Sequence, residues 1–230
     1  MALSLRLALI SALVPHGARV CDIGTDHGYL PIELIKRGDI KSVIATDIRK
    51  MPLANAAKNI KAAGVSGITL RLCDGLEGIA QNEADTIITA GMGGEVIASI
   101  LARSPLPTAA PAPLLIMQPT TSPEFLRRFL CENGFEIISD TALCENAKLY
   151  SVITARYTGE RYSYGEEFYY CGKADPQTAD GAKYIEKQYL RLKKCADALE
   201  NIPEKWEEYK RLAEISAALK KKLTENRNGI

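Results

Sequence analysis

The sequence predicts an α/β fold, with a seven-stranded sheet that is parallel except at its end, followed by a helical hairpin. Three observations carry that reading. Short β-prone runs alternate with helical patterns from Arg19 to Tyr157, as in a parallel sheet covered by helices on both faces. The last two runs follow each other with no helix between them, which marks an antiparallel hairpin. Beyond Thr178, apolar residues recur at alternating spacings of four and three, the pattern of packed helices.

In chain order, the apolar stretch Met1 to Leu13, interrupted by Arg6, reads as an amphipathic lead-in helix. It is too short to span a bilayer and lacks a signal-type cleavage site, so no membrane segment is expected. Strands are expected at Arg19–Ile23, Ser42–Thr46, Ile68–Leu72, Asp85–Thr89, Leu114–Met117, Phe135–Leu143 and Tyr150–Tyr157. Helices should start near Leu30, Leu53, Glu95 and Pro123. The Tyr- and Gly-rich stretch Thr158 to Thr178 reads as a linker, with Pro176 marking a helix start. The division expected is therefore 1–157 for a ligand-binding domain and 158–230 for the linker and a helical domain. There Ile185, Tyr189, Leu192, Ala196 and Leu199 form a short coiled-coil seam. Asn201-Ile202-Pro203 breaks the helix, and Trp206, Tyr209, Leu212, Ile215, Leu219 and Leu223 mark a second one folding back.

Composition narrows the class. With 47% hydrophobic and 25% charged residues, the chain is an ordinary globular protein rather than a disordered or fibrous one. Its 29 basic and 28 acidic residues nearly cancel, so a polyanion would be held by a local basic surface and not by a global field. Six cysteines without CxxC spacing suit a reducing cytoplasm, and neither His16 nor His27 has a partner at ligand spacing, so no metal is expected. A monomer is expected, with a dimer open if the helical seam is exposed.

The strongest local signal is Val20-Cys21-Asp22-Ile23-Gly24-Thr25-Asp26-His27-Gly28, a strand entering a glycine-bearing turn ahead of a helix. Glycine lets a ligand approach the backbone and the helix presents free N–H groups, although the same turn serves as a plain strand-to-helix connection. Acidic residues past the next two strands, Asp47 and Asp74, change the balance, because open α/β sheets bind ligands at those ends. Asp47 suits ribose hydroxyls or a helix cap; Asp74-Gly75 suits an adenine amino group or an Asp-Gly turn. Asp22 would repel a pyrophosphate and attract a cationic amino-acid end. A methyl donor is thus favoured over a dinucleotide, whose fingerprint also requires a third glycine.

These residues resemble the class I S-adenosylmethionine-dependent methyltransferases, and among them the TrmK family of tRNA (adenine-22-N1)-methyltransferases. The resemblance rests on Asp22-Ile23-Gly24-Thr25-Asp26-His27-Gly28-Tyr29-Leu30-Pro31, Gly75-Leu76-Glu77, Ala90-Gly91-Met92-Gly93-Gly94, Gln118-Pro119 and the terminal hairpin. It implies a Rossmann-like seven-stranded sheet with a C-terminal coiled-coil hairpin, S-adenosyl-L-methionine as cofactor and tRNA as partner. It implies a cofactor pocket from Asp22, Gly24, Asp47, Ile48, Asp74, Gly75 and Gly91. Asp26, His27 and Tyr29 become the catalytic candidates where base and methyl meet. Met92, Gly93, Gly94, Gln118 and Pro119 become candidates for the base. The Gly-Met-Gly-Gly sequence replaces the Asn/Asp-Pro-Pro-aromatic turn common in methyltransferases of exocyclic amino groups. The alternatives are a methyltransferase for another RNA position or a small molecule, and a non-catalytic RNA-binding protein that senses the cofactor. Lysines along the hairpin could meet phosphates or form a solvated surface, and Arg6, Arg49, Lys50 and Lys58 could extend an RNA footprint.

Overall fold

The computed structural model describes residues 3–225. Met1 and Ala2, the first residues of the lead-in, lie outside the described residues. The chain divides into two compact units: residues 3–139 with Val152–Tyr162, and Asp140–Ser151 with 163–225. The sequence division at 157/158 differs because the outer half of one β-hairpin clusters with the C-terminal helices.

In the first unit, α1 (Leu5–Leu13) begins at Ser4, whose hydroxyl caps the helix by accepting from the Leu7 N–H. The sheet order is β3-β2-β1-β4-β5-β7-β6, from β1 (Arg19–Ile23), β2 (Ser42–Asp47), β3 (Ile68–Leu72), β4 (Thr86–Gly93), β5 (Leu114–Thr121), β6 (Phe135–Glu145) and β7 (Lys148–Tyr157). β1 pairs in parallel with β2 and β4, and β4 with β5, while β7 runs antiparallel to β5 with Leu115 opposite Ala155. The expected ending is thus observed. Helices α2 (Tyr29–Lys36), α3 (Lys50–Ala63), α4 (Gly94–Arg103) and α5 (Pro123–Glu132) alternate with the parallel strands. Val20, Cys21, Val43, Ile44, Ile87, Ile88, Leu115 and Ile116 are all buried, which explains the unbroken apolar runs of the central strands.

Strand order reverses between β1 and β4, so the connections after these two neighbours leave in opposite directions and open a crevice at their carboxyl ends. Two strands run further than their sequences suggest. β4 continues through Ala90–Gly93 and β5 through Gln118–Thr121, with register shifts flanking Met92. The expected glycine turn is therefore an irregular strand extension. Gly91, at φ +82°, supplies the conformation such a bulge requires.

The second unit is organised by α6 (Glu166–Cys171), α7 (Ala179–Leu199) and α8 (Trp206–Glu225). α6 occupies part of the expected linker. α7 starts at the Thr178 cap and not at Pro176, because the Thr178 hydroxyl accepts from the Gly181 N–H. Tyr184, Ile185, Leu192, Ala196, Leu212, Ile215 and Leu219 form the core, with Tyr189, Leu199, Tyr209 and Leu223 at its margin. Trp206, expected to open the apolar stripe of the second helix, is instead 48% exposed and stacks on Tyr209 at 5.1 Å.

Leu219 is fully buried whereas Leu190 of α7 is 55% exposed. Leu219→Ala should therefore cost about 2–4 kcal/mol in chemical denaturation, and Leu190→Ala less than about 0.5 kcal/mol.

Candidate active site

A cavity of about 700 Å³ opens at the β1–β4 switch point, within the size range of small-molecule sites. Its wall contains Asp22, Gly24, Asp26, His27 and Tyr29 from the first loop, Asp47 and Ile48 after β2, Asp74 and Gly75 after β3, and Gly91 and Met92 from β4. Strand ends far apart in sequence thus converge. Gly93, Gly94, Gln118 and Pro119 do not line it.

The first loop is pinned by β2: the Thr46 carbonyl accepts both the Gly24 and the Thr25 N–H at 2.8 Å. Gly24 has φ +78°, and a Cβ there would collide with the Met92 methyl. The chain then crosses Gly28 at φ +70°, a conformation side chains rarely adopt, and a Cβ there would stand 3.2 Å from Ala56 Cβ of α3. Asn59 of α3 donates to the His27 carbonyl at 2.8 Å. The loop is therefore held from two sides, and its side chains project from a fixed backbone.

Asp22 is buried and bonded to the Thr25 hydroxyl. Burial raises its pKa from 3.8 to about 6, and the Thr25 hydrogen bond only partly offsets that. A carboxylate so desolvated suits a cationic ligand. Asp47 is also buried, and its Oδ1 accepts from the Arg49 N–H at 2.7 Å. Asp74 makes a two-pronged pair with Arg103 of α4 at 2.8 and 3.1 Å, which holds its carboxyl below the usual range. Ile100 packs against Gly75, where a Cβ would approach its Cγ2 to 2.9 Å.

Asp26 and His27 are more exposed, with His27 Nε2 3.2 Å from Asp26 Oδ2. The His27 ring stacks on Tyr29 at 5.3 Å between centroids and 18° between planes. The three catalytic candidates thus form one cluster beside the buried carboxylates. The residues outside the cavity support it from behind. Gln118 is fully buried, and its Oε1 accepts from the Gly91 N–H at 3.1 Å and from Arg6 Nη1 at 2.5 Å. Gly94 allows α4 to approach the β5–α5 connection, since a Cβ would fall 2.2 Å from the Ser122 carbonyl. Gly93 similarly abuts the Thr121 hydroxyl, and Pro119 pairs with Met92.

Sequence reasoning did not single out Thr25, Asn59, Val96, Ile100 or Arg103, and Arg6 and Arg49, expected to extend an RNA footprint, both line the cavity. Asn59 and Arg103 carry no local signal, because each meets its partner only through helix packing. Among the described residues no group of three or more His, Cys, Asp or Glu side chains could hold a metal ion.

Because Asp22 binds its proton more tightly when folded, its burial costs stability as pH rises from about 4 to about 6 and the cost is constant above that. Asp22→Asn should stabilise the ligand-free protein by about 1–3 kcal/mol at pH 7.5, and the gain should vanish near pH 4. Thermal melts at the two pH values check it.

A methyltransferase-domain family model matches residues 3–153. The chain is 36% identical over 160 residues to the tRNA (adenine(22)-N(1))-methyltransferase of Bacillus subtilis, covering 69% of this chain and 66% of that protein. The crystal structure of the B. subtilis m1A22 tRNA methyltransferase TrmK matches with a TM-score of 0.85 at 28% identity, over 96% of this chain and 99% of that one. A Streptococcus pneumoniae protein solved in complex with S-adenosyl-L-methionine matches with a TM-score of 0.81 at 32% identity, over 96% and 100% of the two chains. Such likeness extends well beyond the sheet that many methyltransferases share, and the chain belongs to the TrmK family of tRNA (adenine-22-N1)-methyltransferases.

Proposed function

We propose that this protein transfers a methyl group from S-adenosyl-L-methionine to N1 of an adenine, position 22, in tRNA. The observation that carries the reading is the buried Asp22 carboxylate at the switch point, in a chain of this family. A cationic amino-acid end would compensate its desolvation, and Asp47 and Asp74 flank it at the ends of β2 and β3. The cavity and its glycine-bearing first loop suit such a ligand. When bound, S-adenosylmethionine supplies an electrophilic methyl on a cationic sulfur.

Adenine N1 carries an in-plane lone pair at neutral pH, so attack needs alignment and no strong base. The ring becomes cationic on methylation. Asp26, exposed at the cavity wall, would stabilise that developing charge or accept from the adenine amino group. Tyr29 and His27, already stacked on each other, offer an aromatic face to a base extruded from the tRNA stack. Met92 would border the same base, with Gly91 beside it on the cofactor's side. Gln118 would contribute indirectly, by holding the Gly91 N–H.

The proposed division assigns methyl transfer to residues 1–157 and leaves 158–230 as the appended helical part. Lys193, Lys205, Lys210 and Lys221 each pair with an acidic residue on the same stretch, which weakens the field they offer to phosphate. Six free cysteines accord with a reducing cytoplasm, and a monomeric enzyme is proposed. No helix among the described residues is long and apolar enough to cross a membrane.

Labelled S-adenosylmethionine and an unmodified tRNA pool, read by nucleoside mass spectrometry, test the reaction directly. 1-Methyladenosine should form, and Asp26→Ala should lower its rate by about 10²-fold or more while cofactor binding persists. No methylated tRNA despite cofactor binding would overturn the reading. Cofactor affinity should fall about tenfold per pH unit below pH 6, as protonation of Asp22 competes with the cation; calorimetric titration from pH 5 to 7.5 measures it.

A further inference from the structure

We propose that Arg103 is a positioning residue for the methyl donor, holding the Asp74 carboxylate so that it accepts the 6-amino group of the donor's adenine and sets selectivity for a 6-aminopurine. This rests on the methyl-transfer reading above. Asp74 stands between two hollows. It lines the switch-point cavity, and it also lines a second one of about 400 Å³ whose wall includes Glu77, Gln81, Arg103 and Leu106. Arg103 lines the second alone. Its guanidinium therefore reaches Asp74 from behind, Nη1 to Oδ2 at 2.8 Å and Nη2 to Oδ1 at 3.1 Å. A carboxylate offers about four acceptor positions, and this grip uses one on each oxygen, so others remain for an amino group in the first cavity. The same contact holds the Asp74 carboxyl below the usual range and keeps it an ionised acceptor.

The rest of the segment after β3 is fixed without Arg103. At its far end Arg71 donates to the Gly78 carbonyl at 2.6 Å and pairs with both Glu83 oxygens at 2.8 and 2.9 Å, while Glu83 accepts the Ala80 N–H at 2.8 Å. At its near end Ile100 abuts Gly75, which has φ +58°. Ile100 and Arg103 stand at i and i+3 on α4, so one helix face sets both the Gly75 backbone and the Asp74 side chain. Glu77 lies 3.7 Å from Arg103 Nη1 and steadies it from the same turn. Rotation of the Asp74 side chain is then the freedom that Arg103 removes. Fold stability does not account for the pair, since the Arg103 and Asp74 side chains are 47% and 38% exposed and ion pairs so exposed contribute little.

Calorimetric titration compares S-adenosylhomocysteine with its analogue carrying hydrogen in place of the 6-amino group. The proteins are the parent, Arg103→Met, Arg103→Lys, Asp74→Ala, and Arg103→Met combined with Asp74→Ala. The parent should favour the amino compound by about 10–100-fold, the range for a hydrogen bond to a charged acceptor. Arg103→Met should weaken the amino compound by about 3–10-fold, as an ordered side chain regains its rotamers, and change the analogue by less than about twofold. Arg103→Lys restores the charge at one point only and should fall between Arg103→Met and the parent. Asp74→Ala should lose the selectivity, and adding Arg103→Met to it should change nothing further. In turnover, Arg103→Met should raise KM for S-adenosylmethionine at nearly constant kcat. Equal weakening of both compounds in Arg103→Met, or a further loss in the combined variant, would mark a merely structural role and overturn the proposal. A parent that binds both compounds equally would overturn it too. A parent that shows the selectivity yet methylates no tRNA would overturn the reaction alone.

Discussion

The reversal of strand order between β1 and β4 governs what this molecule can do. At every other neighbouring pair of parallel strands the helical connections cover the sheet on one side, but at this pair they depart to opposite sides and leave the carboxyl ends open. A crevice there is a consequence of connectivity and right-handed crossovers, whatever side chains line it. The sequence then fills it with carboxylates. Asp22 stands at the crevice floor, too deep for water to solvate fully, and its burial costs stability once the carboxyl ionises.

That site is kept in shape by backbone contacts more than by its own side chains. A single carbonyl, Thr46, orders the first loop, and α3 holds the same loop from the other side through Ala56 and Asn59. The far wall is built differently. β4 and β5 overrun their regular pairing, and Gln118 satisfies the displaced Gly91 N–H with an acceptor that also reaches α1. A buried amide is costly unless bonded, so its position in the strand is tied to these partners. Gly93 and Gly94 serve the neighbouring helix-to-strand approach rather than the cavity surface.

The second unit follows simpler rules. Its helices bury a stripe of Ile, Leu and Tyr, and the Pro203 break between them lets the chain return. Charges on the outer faces pair locally at helical spacing, a pattern that stabilises a solvated helix modestly. Trp206 left the stripe because it sits at the first position after the helical turn at Pro203–Lys205, where the α8 period has only begun.

The sequence by itself determined the sheet, its antiparallel ending, the two long helices, and most of the residues that line the cavity. Those features depend on local periodicity, and on a rule that carboxylates and glycines at strand ends face ligands. Asp22, Gly24, Asp47, Asp74 and Gly75 were readable for that reason, while Asp26, His27, Tyr29, Ile48, Gly91 and Met92 were implied by the resemblance to the methyltransferase family, and all line one cavity. Only tertiary structure decided that Gln118 and Gly94 stand behind the wall, that Asp74 is already engaged by Arg103, and that Arg6 reaches the cavity at all. Each of these depends on which helix packs beside which strand. Short-range pattern carries no such information, because a hydrogen bond between residues a hundred positions apart is fixed by the fold and by nothing in the neighbouring sequence.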